Sequence, residues 1–264
     1  MPNNDMDTRE QVTAGAIRRD YSAFYTPGAI VLAGIFVAIG LFFGLSHGGN
    51  SGAATGGNPP AKAVNIKDVK TAGEPFIGSD SAPVVLAFWS DYQCPFCKAF
   101  EVGGVPQING ANNSTTPPAL PDLVKQYVNT GQLKIVFKDF AFLGQDSTTA
   151  AEYGRAVWDI YPTQYFAWRT AMYVAQDQEG DQGFGNAATI DQLIISKFPA
   201  MNDAKIKTQI TNNKAKYDAA IAADMQEGES FGITGTPGFI TGTQMIGGFA
   251  GLSTFTAVID PQLK

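Results

Sequence analysis

The sequence predicts an α/β or α+β domain, a mixed sheet with a helical insertion, carried behind one membrane-spanning segment. Three observations predict it. An apolar run without a single charge fills Ala29–Leu45. Two short apolar runs, Val84–Trp89 and Leu133–Phe137, read as strands and precede a stretch of helical periodicity over about residues 147–228. Two more strand-like pieces, Phe239-Ile240 and Met245-Ile246, follow that stretch.

The chain has 264 residues, enough for one membrane segment and one domain with its own core. Its net charge of −6 argues against a nucleic-acid partner, because contacting phosphates takes a cationic face. There are only 2 cysteines, Cys94 and Cys97, and 1 histidine, His47. Two cysteines this close cannot staple a secreted scaffold, and a structural zinc site takes four Cys or His ligands.

No Asp, Glu, Lys or Arg occurs from Tyr21 to Ala61. With Pro27 and Gly28, Ala29–Leu45 makes a run of about 19 residues, roughly 28 Å as a helix and close to the hydrocarbon thickness. Arg18 and Arg19 lie just before it and Lys62 is the first cation after it, so the positive-inside rule puts residues 1–28 in the cytoplasm and the remainder outside. The alternatives are a cleaved signal peptide, which ordinarily has a shorter lead and apolar region, and a core helix, which would show a polar face. Residues 46–70 read as a linker, rich in Gly, Ser and Asn and ending its flexible part in Pro59-Pro60. The soluble domain is residues 71–264.

Within that domain, Val84–Trp89 is followed at once by Cys94-Pro95-Phe96-Cys97 and a helical segment, Lys98–Val102. Residues 103–121 read as a loop, Asp122–Thr130 as a short helix closed by Gly131, and Leu133–Phe137 as a strand. Ser147 is placed to cap a helix reaching Ile160, and Tyr165–Gln176 continues it after Pro162. Thr189-Ile190-Asp191-Gln192 has the capping-box pattern. Asn202 or Asp203 caps a longer helix reaching Met225 and stopped near Gly228. The aromatic residues Tyr153, Trp158, Tyr161, Tyr165, Phe166, Trp168 and Tyr173 read as core, as do Met225 and Met245. Thr241-Gly242-Thr243-Gln244 reads as a turn and Ser253–Asp260 as a last helix before Pro261.

A strand that leads through Cys-x-x-Cys into a helix has a chemical use. It sets the first sulfur at a helix N-terminus, where unpaired N–H groups and the helix dipole favour an anion. A thiol held there ionises more readily and reacts as a thiolate.

The segments FWSDYQCPFCKAFE, LKIVFKDFAFLGQDSTTAAEYGRAVW and GITGTPGFITG, in this order, resemble the active-site strand and helix, the second strand with the entry to the insertion, and the cis-proline segment of DsbA-like proteins of the thioredoxin superfamily. The resemblance covers about residues 71–264. It implies an α/β thioredoxin fold with an inserted helical domain. It also implies an exposed nucleophile at Cys94, a buried resolving thiol at Cys97 and a cis Pro237 beside them. Pro95, Phe96, Thr236 and Pro237 would shape the site, with Thr236 offering backbone groups to an extended substrate strand. The implied activity is thiol-disulfide exchange, oxidising exported proteins through a Cys94–Cys97 disulfide, with no bound cofactor and a quinone-linked membrane partner to reoxidise it; no metal-ligating residues are assigned.

The sequence departs from the family pattern at three places. Phe96 stands where the best-known oxidase has histidine, Ala87 where many relatives carry a buried acid, and the 103–121 loop is long. Phe96 suggests a less oxidising pair, so a reductase or isomerase is the competing direction. From other classes come a tethered binding module with a merely structural Cys94–Cys97 bond and a metal site shared across a dimer.

Overall fold

The computed structural model describes residues 63–105, 117–177 and 180–264. The predicted tail, the Ala29–Leu45 anchor, most of the linker and the middle of the 103–121 loop lie outside the described residues. Among the described residues no helix is long and apolar enough to cross a membrane.

A five-stranded sheet has the order β1-β3-β2-β4-β5. Its strands are β1 (Phe76–Ile77), β2 (Val84–Ser90), β3 (Leu133–Asp139), β4 (Gly238–Thr241) and β5 (Gln244–Gly247). β2 runs parallel to β3 and antiparallel to β4, and both edge pairings are antiparallel. The central place of β2 explains its unbroken apolar run, since both of its faces are covered. Leu86 and Phe88 face one cluster, while Ala87 and Trp89 face another. An acid at Ala87 would therefore lie on the far side of the sheet from the cysteines; Phe88 is the residue that shares their cluster. β1 is too short for any periodicity to reveal it.

Among the described residues, seven α-helices accompany the sheet: α1 (Pro95–Glu101), α2 (Ala119–Leu123), α3 (Gln145–Ile160), α4 (Pro162–Ala175), α5 (Ala187–Lys197), α6 (Asp203–Phe231) and α7 (Leu252–Ile259). Several boundaries differ from the sequence expectation for identifiable reasons. α2 starts before Asp122 and runs into one π-helical turn, Val124–Val128, because Pro121 falls in the first turn, where an N–H is not needed. α3 begins ahead of Ser147, which is fully buried and caps nothing. Pro162 opens α4 at its first position, the place where proline fits a helix best. The cap of α5 is Asn186, whose side chain accepts from Thr189 N at 3.1 Å, so the Thr189 box lies one turn late.

Asn202 caps α6 and Gly232 ends it at φ 96°, in the left-handed region. Gly228 lies inside this helix and does not stop it. A Cβ there would come within 2.9 Å of Trp89 Nε1, so the glycine permits close contact between helix and sheet. In the same region Trp89 Nε1 donates to Asp224 O at 2.9 Å.

The helical block is fixed to the sheet by buried charge as well as by apolar packing. Arg155 of α3 pairs with Asp139 at 2.6 Å, with Glu74 at 2.6 Å and with Asp224. Lys138 of β3 pairs with Asp224 and, at 3.0 Å, with Glu227. Of the aromatic set, Tyr153, Tyr165, Trp168 and Tyr173 are buried and the others pack against the same core. Met225 also packs against the core, but Met245 does not: it is 43% exposed, because β5 is an edge strand with its side chains largely in solvent.

Replacing Gly228 with Ala should destabilise the domain by about 1–3 kcal/mol through overpacking against Trp89, outweighing the roughly 1 kcal/mol helix-propensity gain. Urea unfolding measures this, and a neutral or stabilised variant would disprove the close contact.

Candidate active site

β2 ends inside the core and delivers Asp91–Cys94 to the start of α1. Cys94 N donates to Asp91 O at 3.1 Å, closing a turn, and Cys94 becomes the N-cap of α1. Pro95 occupies the first helical position, where its missing N–H costs nothing. Cys97 then lies on the first turn, beside Cys94. Both thiols are free and buried.

From the other side comes the segment before β4. The Thr236-Pro237 peptide is cis, and the Cys94 thiol donates to Thr236 O at 3.4 Å. The sequence-predicted residues Cys94, Cys97, Pro95, Phe96, Thr236 and Pro237 are thus brought to one place from two ends of the chain. One expectation is corrected. Cys94 is only 3% exposed, because its side chain packs into the main core cluster and against Thr236. Phe96, by contrast, is 46% exposed. A groove of about 300 Å³ runs along Gly232–Thr236 and reaches Met245, Gly247 and Gly248.

The two thiols are electrostatically unequal. Cys94 is held below the usual thiol range. The hydrogen bond from the Cys97 thiol contributes most, with help from the Thr236 hydroxyl and the N–H groups of Cys97 and Phe96, against the opposing effect of burial. Cys97 is pushed well above that range by burial first, then by its hydrogen bond to Cys94 and the charge there. The Thr236 hydroxyl is itself buried and satisfied by no ordinary hydrogen bond, which leaves it free to support the sulfur anion.

The acids near the pair have separate duties. Asp91 is buried, and burial raises its carboxyl. Its oxygens accept from Gln93 N at 2.8 Å, Phe142 N at 2.9 Å and Leu143 N at 3.1 Å, so it ties the active-site turn to the loop after β3 and does not replace a buried acid beneath the sulfurs. Glu101, one helical turn beyond Cys97, is a second buried acid near the site. Burial raises it and Arg169 opposes the rise, with Arg169 Nε 2.7 Å from Glu101 Oε1. Arg169 is enclosed by the rings of Phe137, Tyr92, Tyr173 and Phe88 at 4.2–5.3 Å. Sequence reasoning missed this pair. The i, i+4 spacing of Cys97 and Glu101 was available as a signal, but the arginine lies 68 residues away.

The sequence matches the thioredoxin family over residues 70–109 and 115–261. The chain belongs to the thioredoxin family. It is 24% identical over 195 residues to disulfide bond formation protein D of Bacillus subtilis, covering 73% of this chain and 78% of that protein. It is 21% identical over 189 residues to the probable disulfide bond formation protein D of Bacillus anthracis, covering 71% and 77%. Among solved structures, oxidised BdbD from Bacillus subtilis superposes with a TM-score of 0.60 at 23% identity, over 76% of this chain and 98% of that one. Alpha-DsbA1 of Wolbachia pipientis gives 0.59 at 18% identity, over 75% and 94%. The fold is therefore the thioredoxin α/β fold with a helical insertion, here running from α3 through α6.

Two outcomes follow from the electrostatics. Thr236→Val removes the hydroxyl and should raise the Cys94 thiol, read by ultraviolet thiolate absorbance, while the urea midpoint holds or rises because an unsatisfied buried hydroxyl is gone. Arg169→Leu leaves Glu101 buried without its cation, at a cost of about 3–5 kcal/mol near neutral pH. A carboxyl whose folded-state value lies above its ordinary 4.5 stabilises when protonated and loses that stability as pH rises, so the Arg169→Leu penalty should shrink as pH falls. A penalty independent of pH would contradict the pairing.

Proposed function

We propose that this protein is a thiol-disulfide oxidoreductase that introduces disulfides into exported proteins through Cys94 and Cys97. The observation that carries the reading is the unequal pair of thiols, one favoured as an anion and one kept protonated, beside Thr236-Pro237. Homology to disulfide bond formation protein D supports the same direction.

In the oxidised enzyme, a substrate thiolate attacks Cys94 Sγ. The Cys94–Cys97 bond breaks, the electron pair passes to Cys97 Sγ, and that sulfur takes up a proton because burial disfavours its charge. A second substrate thiolate then attacks the first substrate sulfur in the mixed disulfide. Cys94 leaves as a thiolate, stabilised by the Cys97 thiol, the Thr236 hydroxyl and the first N–H groups of α1. The substrate loses two electrons and the enzyme retains them as the dithiol. A leaving group that is a stable anion makes this second step fast and makes the enzyme disulfide oxidising, since whatever stabilises the reduced form raises its potential. Pro95 starts the helix, Phe96 presents an apolar ring at the rim, and Thr236 lends its backbone to an extended substrate segment.

The remaining assignments rest on the sequence. Ala29–Leu45 anchors the chain with its catalytic domain outside the cytoplasm, and the anchor brings it near a quinone-linked membrane protein that takes the two electrons away. The reaction needs no bound cofactor; the Cys94–Cys97 disulfide is itself the redox group.

Cys94→Ser should abolish oxidation of reduced ribonuclease. Cys97→Ser should accumulate a mixed disulfide with substrate, detectable on a non-reducing gel. Equilibration with glutathione should give a potential well above roughly −270 mV, the thioredoxin range. A value in that range would establish the reductase direction instead.

A further inference from the structure

One face of α4 holds the active-site turn by its backbone. Arg169, Tyr173 and Gln176 follow i, i+4, i+7 spacing, with Gln176 as the C-cap of the helix. Arg169 Nη2 donates to Ser90 Oγ at 2.8 Å, and Tyr173 OH donates to Asp91 O at 3.2 Å. Gln176 Nε2 donates to two carbonyls, Tyr92 O at 2.7 Å and Cys94 O at 3.1 Å. Its own main-chain oxygen accepts from Lys98 Nζ at 2.7 Å. Gln176 is therefore tied to the chain on both sides of the cysteine motif, and it is 5% exposed.

We propose that Gln176 is a positioning residue that holds the Cys94 main chain, and with it the sulfur against Thr236 O, so that the helical insertion, and not α1 alone, sets the reactivity of this thiol. The reasoning is geometric. The Tyr92–Gln93 peptide is fixed at both ends, its carbonyl by Gln176 and its N–H by the Asp91 carboxylate. The next turn of chain is fixed by Cys94 N on Asp91 O and by Lys98 N on Cys94 O. Remove the carboxamide and two buried carbonyls lose a donor; the turn can then rotate to find another, carrying Cys94 with it. A side chain with two N–H donors on one nitrogen is suited to this task. Glutamate could not donate, and asparagine is one methylene short.

The inference rests on the reading of Cys94 as the reacting thiol, and the test separates the two. The full chain, in detergent and fully reduced, is titrated by thiolate absorbance and by the pH dependence of iodoacetamide alkylation. Gln176→Met keeps the length and volume but has no donors; Gln176→Ala removes the side chain. Both should lower the alkylation rate below the thiol pKa by at least about threefold, the equivalent of half a pKa unit. If Gln176→Ala does not fold, Gln176→Met decides. If wild type shows an acidic, reactive Cys94 and Gln176→Met matches it, the positioning role is overturned even if the melting temperature falls. If the wild-type thiol itself titrates like a free cysteine, the oxidoreductase reading fails first.

Discussion

Two sulfur atoms in contact, buried together and forbidden to be charged together, set the terms for the rest of this structure. A thiolate in a closed core is unfavourable, and burial opposes ionisation at both cysteines. What makes one anion tolerable is a set of donors in place beforehand: the neighbouring thiol, the Thr236 hydroxyl and the N–H groups at the start of α1. The donors come from two ends of the chain: the first turn of α1 holds the Cys97 thiol and the N–H groups, and the segment before β4 holds Thr236. β2 supplies the cysteines by ending at the right depth, and β4 supplies Thr236 by pairing beside β2, with Trp89 opposite Gly238.

The surrounding charges are arranged so that they do not disturb that balance. Arg169 lies beneath the site but is neutralised by Glu101 and enclosed in aromatic rings. Lys138, Arg155, Asp224 and Glu74 gather with the second core cluster, on the Trp89 side of the sheet. A buried ion pair adds little net stability against apolar packing, but breaking one leaves an unpaired charge. Such pairs hold the helical block in one register against the sheet, which lets α4 address successive atoms of the active-site turn.

The bodies of the long helices are legible in the sequence, and their ends much less so. The α6 start at Asn202 followed from an ordinary cap, whereas its end was misjudged at Gly228 because a glycine needed for contact with Trp89 looks the same in sequence as one that stops a helix. Pro121 reads as loop and Pro162 as lying between two helical stretches, yet both are first-turn residues. Met245 looked apolar and therefore internal, but nothing in its pattern shows that β5 lies at a sheet edge.

The amino-acid order by itself determined the reactive motif, its position between a buried strand and a helix, the presence of a helical insertion and the Thr236-Pro237 segment, because these depend on neighbours a few residues apart. Only the tertiary structure decided that Cys94 is buried, that Glu101 meets Arg169, that Asp91 serves the backbone and that Gln176 reaches the active-site turn. Those contacts join residues 51 to 142 positions apart, and a hydrogen bond across such a distance depends on how layers stack, which local periodicity does not encode.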